Sequence, residues 1–246
     1  MSLKDLKQML EKHNDVFADM VNGVVFEGRQ KVLANELEEL SLHSPYRDGW
    51  MLDGLYRTVI KRTKDCIIRL VCIGHDSKAV SDPEFPMQMR ASEVEVYRAQ
   101  LLDQCKTKYP VITLVLYFGY DKPWSGPLSL KECYEEFDLL DNDYVVNFYQ
   151  IANLTHEQLA FFKSDFRVVA DFFVQMREKG NYNGNPQPLK YVQETLQMLS
   201  VMANDKTFAQ EALEIAKNPK GAPNNMDEIM CNIKRRARNN RKQILV

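Results

Sequence analysis

The order of hydrophobic patterns along the chain predicts an α/β protein: a mixed sheet flanked by helices, followed by a helical carboxyl-terminal half. Tyr56-Arg57-Thr58-Val59-Ile60-Lys61 alternates large and polar residues and leads into the β-branched, nearly all-apolar run Cys66 to Ile73, the pattern of a hairpin entering a buried strand. Val111-Ile112-Thr113-Leu114-Val115-Leu116-Tyr117-Phe118 is apolar on both faces, as a central strand covered by helices must be. From Thr155 the period becomes helical, with Leu159, Phe162, Phe166, Val169, Phe172 and Phe173 along one side. These shifts predict a sheet domain over residues 1–153 and a helical region over 154–246 that packs on it or extends from it.

In chain order, Leu6, Met9 and Leu10, then Val16, Phe17, Met20, Val21, Val24 and Val25, recur at helical spacing, with His13-Asn14-Asp15 as a break and cap. Asp15, Asp19 and Asn22 share one face of the second piece, the wet side of an amphipathic helix on the plainest reading. A polar helical stretch is expected from Asn35 to Leu40, and turns at Ser44-Pro45 and Asp48-Gly49 lead into the hairpin. Beyond it, Met87 to Lys106 reads as a long helix, Gly119 to Gly126 as a loop, Ser129 to Phe137 as a capped helix and Asp143 to Ile151 as one more strand. One helix is expected from Thr155 to Lys179, a hinge over Gly180 to Pro188, and further helices over Leu189 to Ala203, Lys206 to Lys217 and Met226 to Lys242.

With 246 residues, 45% hydrophobic and 27% charged, the chain can bury one large core or two modest ones. No apolar run approaches the roughly 18 to 20 residues that a bilayer-spanning helix needs, and Met1-Ser2-Leu3-Lys4-Asp5 lacks the layout of a signal peptide. A cytoplasmic protein without a membrane partner is expected. Cys66, Cys72, Cys105, Cys133 and Cys231 are scattered with no C-x-x-C pair, which points to buried thiols and not to a disulfide framework or a zinc site. A formal net charge of −2 means that any surface for nucleic acid must be local. The clearest basic run is Lys234, Arg235, Arg236, Arg238, Arg241 and Lys242; its alternative reading is a solvated helix end.

Gly74 ends the second apolar run, and Asp76 and Lys78 follow with one residue between them. Period-two spacing puts both side chains on one face of the same strand. A carboxylate beside an ammonium can hold a divalent cation and position a water, the equipment of metal-assisted phosphodiester hydrolysis. The alternative is a salt-bridged strand end. His75 would point to the opposite face and reads as a core or surface histidine.

Several blocks follow one another in a telling order and spacing: Asn14-Asp15-Val16-Phe17-Ala18-Asp19, Leu52-Asp53-Gly54, Tyr97-Arg98-Ala99-Gln100, the stretch Tyr109 to Gly119, Trp124 to Leu130, Phe162 to Gln175, and Asn225-Met226. Together they resemble the bacterial recombination-promoting nuclease and putative transposase family, part of the PD-(D/E)XK nuclease superfamily. The resemblance covers most of the chain. It implies a restriction-endonuclease-like core, with a helix, three strands, a crossing helix and a further strand, and Mg²⁺-dependent cutting of DNA, with Mn²⁺ as a possible substitute. It also implies DNA as partner and a homodimer as a possible assembly.

Carried over by position, the family's Glu-x-Gln or Glu-x-Lys step falls on Asp76-Ser77-Lys78, so Asp76 would bind metal and Lys78 would orient the attacking water. The family's first metal-binding Asp falls on Thr58, and this is a departure. Mg²⁺ is a hard cation normally held by carboxylates, and a neutral hydroxyl supplies far less charge. Asp53 at the start of the hairpin, Asp19 or Asp15 on the first helix, and Glu93 on the crossing helix are the candidates to supply the missing acid. Lys61, Arg98, Gln100, Lys234, Arg235 and Arg236 would grip the phosphate backbone, although Arg98 and Gln100 serve equally well to pin helix to sheet. The alternative is a catalytically inactive member of the fold that binds DNA or protein.

Overall fold

The computed structural model describes residues 9–40, 55–102, 107–134 and 142–244, with residues 239–244 by backbone alone. Among the described residues five strands form one mixed sheet in sequence order: β1 (Glu38–Glu39), β2 (Tyr56–Arg62), β3 (Ile67–Ile73), β4 (Val111–Tyr117) and β5 (Asn147–Gln150). The first three strands pair antiparallel, and β3, β4 and β5 pair parallel. The β2–β3 hairpin closes on Thr63, whose hydroxyl accepts from the backbone amides of Asp65 (3.1 Å) and Cys66 (3.0 Å). That turn sets the register from Tyr56 opposite Ile73 to Arg62 opposite Ile67. All seven residues of β3 are buried, as its apolar run requires of a strand covered on both faces.

Parallel pairing demands a crossover, and α2 (Phe85–Leu102) provides it between β3 and β4. Pro86 lies in the first turn of α2, where a missing amide proton costs nothing. The helix covers one face of the sheet, packing Phe85 and Met89 on Val71, Ile73, Val115 and Tyr117, with Trp124 and Phe148 closing the layer. The opposite face, with Val59, Ile68, Leu70, Cys72, Leu114 and Leu116, meets α1 (Asn14–Phe26) and the helical half.

The helical half comprises α3 (His156–Leu159), α4 (Phe166–Lys179), α5 (Val192–Met202), α6 (Lys206–Lys217) and α7 (Met226–Ile244). It packs on the sheet: one apolar core runs from Leu10 through the strands to Met226 and Ile229, and Phe118 meets the rings of Phe166 and Phe173. Helix α1 approaches this half closely at Gly23, where an added Cβ would stand 2.1 Å from the Phe162 ring. Glycine inside a helix is otherwise a poor choice, and the contact explains it.

Several expected elements differ. The stretch Thr155 to Lys179 is two helices, α3 and α4, because the intervening backbone is captured by α1. The Asp19 carboxylate accepts from the amides of Lys163 (2.9 Å) and Ser164 (2.8 Å) and from the Ser164 hydroxyl (2.6 Å). Asn35 to Leu40 is a short 3-10 turn, Ala34–Glu36, and then edge strand β1. Asn22 holds the preceding chain in place, donating to the Val32 carbonyl and accepting from the amides of Lys31 and Val32. Helix α2 is described to Leu102. Ser129 bridges Val145 and precedes a 3-10 turn at Lys131–Cys133, while the remainder of the expected helix at Phe137 lies outside the described residues. The turns at Ser44-Pro45 and Asp48-Gly49 lie outside them as well.

Of the described cysteines Cys72 is buried, Cys66 and Cys133 are half-buried and Cys231 is exposed, so the expectation of buried thiols holds for Cys72 alone. Cys105 lies outside the described residues. Among the described residues no helix is long and apolar enough to cross a membrane.

Candidate functional site

Because β3 and β4 run parallel, their carboxyl ends emerge side by side, the usual place for a site in an open α/β sheet. After Ile73 the chain stops being a strand. The Gly74 amide donates to the Leu55 carbonyl (2.7 Å), the His75 amide is taken by the Met202 carbonyl at the end of α5 (2.9 Å), and the Ser77 amide turns back to Gly74 (3.1 Å). Ser77 then caps a 3-10 turn, Lys78–Ser81, its hydroxyl accepting from the Ala79 amide. Asp76 and Lys78 therefore do not share a strand face: Asp76 sits in a turn and Lys78 opens the next element. Capture of His75 by α5, a contact distant in sequence, overrides the period-two expectation.

Asp76 is a clasp. One oxygen pairs with the ammonium of Lys122 in the loop after β4, and the other accepts from the side-chain amide of Asn204 (3.3 Å). Asn204 sits between α5 and α6 with φ of 52°, a left-handed conformation that asparagine tolerates. The Lys122 ammonium holds the Asp76 carboxyl below the ordinary carboxylate range, against the opposing push of partial burial.

Beside the clasp lies His75, 6% exposed, with its ring tilted against Tyr120 at 4.5 Å between centroids. Its Nδ1 stands 3.3 Å from Asp76 Oδ2 but makes no hydrogen bond, and its Nε2 stands 3.7 Å from Asp121. Burial holds the imidazole below its usual pKa, while the two aspartates pull the other way. Beneath them the Tyr117 hydroxyl donates to the Lys122 carbonyl (2.6 Å), and burial, aided by Asp121 and Asp76, pushes that phenol up to about 12.

The other acids proposed as metal ligands are engaged elsewhere. Asp19 is buried and serves the backbone ahead of α4. Glu93, buried on α2, accepts from Arg90 (3.0 Å) and from the Tyr144 hydroxyl (3.2 Å). Thr58 lies opposite Val71 on the α2 side of the sheet, with its hydroxyl buried and unpartnered. Asp53 lies outside the described residues. Among the described residues no three His, Cys, Asp or Glu side chains come together as metal ligands. Thr58, Asp19 and Glu93 thus do not join Asp76, and the described residues do not fit a Mg²⁺ site of carboxylates.

The candidate DNA contacts divide in the same way. Lys61 is 1% exposed; its ammonium donates to the Lys12 carbonyl and the Asn14 side chain, 5.4 Å above the Phe17 ring. Burial lowers its pKa, and it braces α1 against the sheet where no phosphate reaches it. Gln100 brackets Tyr109, donating to its carbonyl (3.1 Å) and accepting from its amide (2.8 Å), so it pins the approach to β4. Arg98 is exposed, 3.7 Å from Glu95. Lys234, Arg235 and Arg238 are exposed on α7, whereas Arg236 reaches back to the buried Glu211 at 2.6 Å. Burial raises the Glu211 carboxyl and Arg236 opposes that rise.

Sequence reading passed over Lys122, Asn204, Tyr120 and Asp121. Tyr120-Asp121-Lys122 directly follows the most apolar strand, and that position was the available signal. Asn204 carried none. Comparison of the chain with protein-family models, with curated proteins and with solved structures gives no match.

Proposed function

We propose that this chain is a DNA-binding protein built on the restriction-endonuclease-like scaffold of the recombination-promoting nuclease and putative transposase type, in which metal-dependent cutting has been lost. The order of elements supports the scaffold: a helix, three antiparallel strands, a crossing helix and a strand parallel to the third. One observation carries the loss of cutting. At the position of the first metal-binding acid stands Thr58, its hydroxyl buried and unpartnered, while Asp76 engages Lys122 and Asn204. Without a pair of carboxylates, nothing described holds Mg²⁺ against a phosphate oxygen. The exposed cations Lys234, Arg235 and Arg238 of α7 and Arg98 of α2 supply phosphate contacts, a sequence-independent grip that releases counterions.

Two measurements test this reading. Fluorescence anisotropy with a duplex oligonucleotide over a salt series should give a log–log slope of about −3.6 for four phosphate contacts, and a slope near zero ends the DNA-binding proposal. Incubation of supercoiled plasmid with Mg²⁺ or Mn²⁺ should give no nicking above that of Asp76→Asn. Nicking by the native protein that disappears in Asp76→Asn or Lys78→Ala reinstates the nuclease reading.

A further inference from the structure

We propose that the polar layer between α2 and the sheet holds a small monovalent anion, of which chloride is the common form, bound by the Arg69 guanidinium and the hydroxyls of Thr58 and Thr113. The site stands on the geometry of that layer and is independent of whether the chain binds or cuts DNA.

Arg69 lies in the middle of β3 and is 4% exposed. Two residues before Val71, it shares the strand face that α2 covers. Its guanidinium donates to the Tyr56 hydroxyl (3.0 Å) and to the Met89 sulfur (3.6 Å), and among the described residues no carboxylate pairs with it. A thioether is a weak acceptor. Burying a charge without a counter-charge is costly, so buried guanidinium groups are normally paired.

Two hydroxyls flank this group on the same face. Thr113 stands beside Arg69 in the register of β4 and is 1% exposed. Thr58 stands on β2 between Ile60, which faces Arg69 across the ladder, and Tyr56, whose hydroxyl Arg69 reaches. Both hydroxyl oxygens are buried and have no hydrogen-bond partner among the described residues. A hydroxyl rotates to offer its proton, so donors from three adjacent strands are available to one acceptor.

The charge balance of the layer sets the sign and the size of the guest. Arg69, Arg90 and Glu93 all act on the Tyr144 phenol, which places them around one region. Glu93 is already engaged by Arg90 (3.0 Å) and by the Tyr144 hydroxyl (3.2 Å). Two guanidinium groups against one carboxylate leave a single positive charge, on Arg69, and a monovalent anion cancels it. Met89, which now closes on the guanidinium, is unbranched and adaptable enough to give way to such an ion.

The test uses the full chain in sodium gluconate, with gluconate exchanged for chloride at constant ionic strength while thermal unfolding is followed by circular dichroism. For a dissociation constant of about 1 mM, raising chloride from about 1 mM to about 100 mM should lift the melting temperature by about 5 °C. Thr113→Val should weaken this rise and Arg69→Met should abolish it, with Thr58→Val as the second hydroxyl variant should Thr113→Val fold poorly. Crystals grown in sodium bromide should show an anomalous peak against the guanidinium. Equal melting temperatures of the native protein in gluconate and chloride overturn the proposal. A chloride dependence that survives Arg69→Met overturns it too, as does a bromide derivative with no peak at Arg69.

Discussion

Asp19 and Asp76 both tie elements distant in sequence, and they do it in opposite ways. Asp19 is buried and gives its oxygens to two backbone amides and a hydroxyl at the start of α4. Asp76 lies at the surface and is held by two side chains, Lys122 and Asn204. The backbone bonds of Asp19 are fixed by the course of the chain, and desolvation makes each expensive to lose. Side-chain partners at the surface rearrange at little cost. The first aspartate is architecture and the second a surface clasp.

Four substitutions separate the two kinds of aspartate. Asp19→Ala should have the largest effect, about 3 kcal/mol in urea unfolding, because it strands buried donors ahead of α4. A loss no greater than that of Asp76→Asn would sink the distinction. Gly23→Ala, where α1 meets the connection between α3 and α4, should cost about 2 kcal/mol, since the Phe162 ring it meets is itself buried; a melting temperature equal to that of the native protein would show that the ring moves aside freely.

Asp15 tests an intermediate case. Burial pushes its carboxyl up, but Lys190 and Tyr191 outweigh this, so its folded pKa lies below the ordinary 3.8. A depressed carboxylate contributes stability that is present above 3.8 and is lost as pH falls through the folded value. The stability difference between native protein and Asp15→Asn should therefore be widest near neutrality, at less than about 1 kcal/mol after solvent screening, and should shrink in acid. A difference that grows below pH 3.8 would contradict the assignment. The smallest change is expected for Asp76→Asn, within about 0.5 kcal/mol by the same unfolding measurement.

Much of the fold was legible because burial imposes a period. The β2–β3 hairpin, β4 and the helices of the second half were all marked by apolar spacing that matched their final faces. The break between α3 and α4 was not legible, because the apolar side of Thr155 to Lys179 continues through it and the interruption comes from Asp19. Lys61 misled for a related reason: in an alternating strand a lysine signals a wet face, yet here α1 covers it and supplies the Lys12 carbonyl and Asn14 as acceptors.

The candidate site shows the limit most clearly. Sequence alone determined that Gly74 breaks an apolar strand-like run just before Asp76 and Lys78 and that basic residues crowd from Lys234 to Lys242, because composition and local period are properties of neighbouring residues. Only the tertiary structure decided that the strand stops at Ile73, that Lys122 and Asn204 close on Asp76, and that Asp19 and Glu93 are committed elsewhere. Those outcomes depend on which backbone groups from distant elements arrive first at each polar side chain, and hydrogen bonds across such distances leave no periodic trace in the chain.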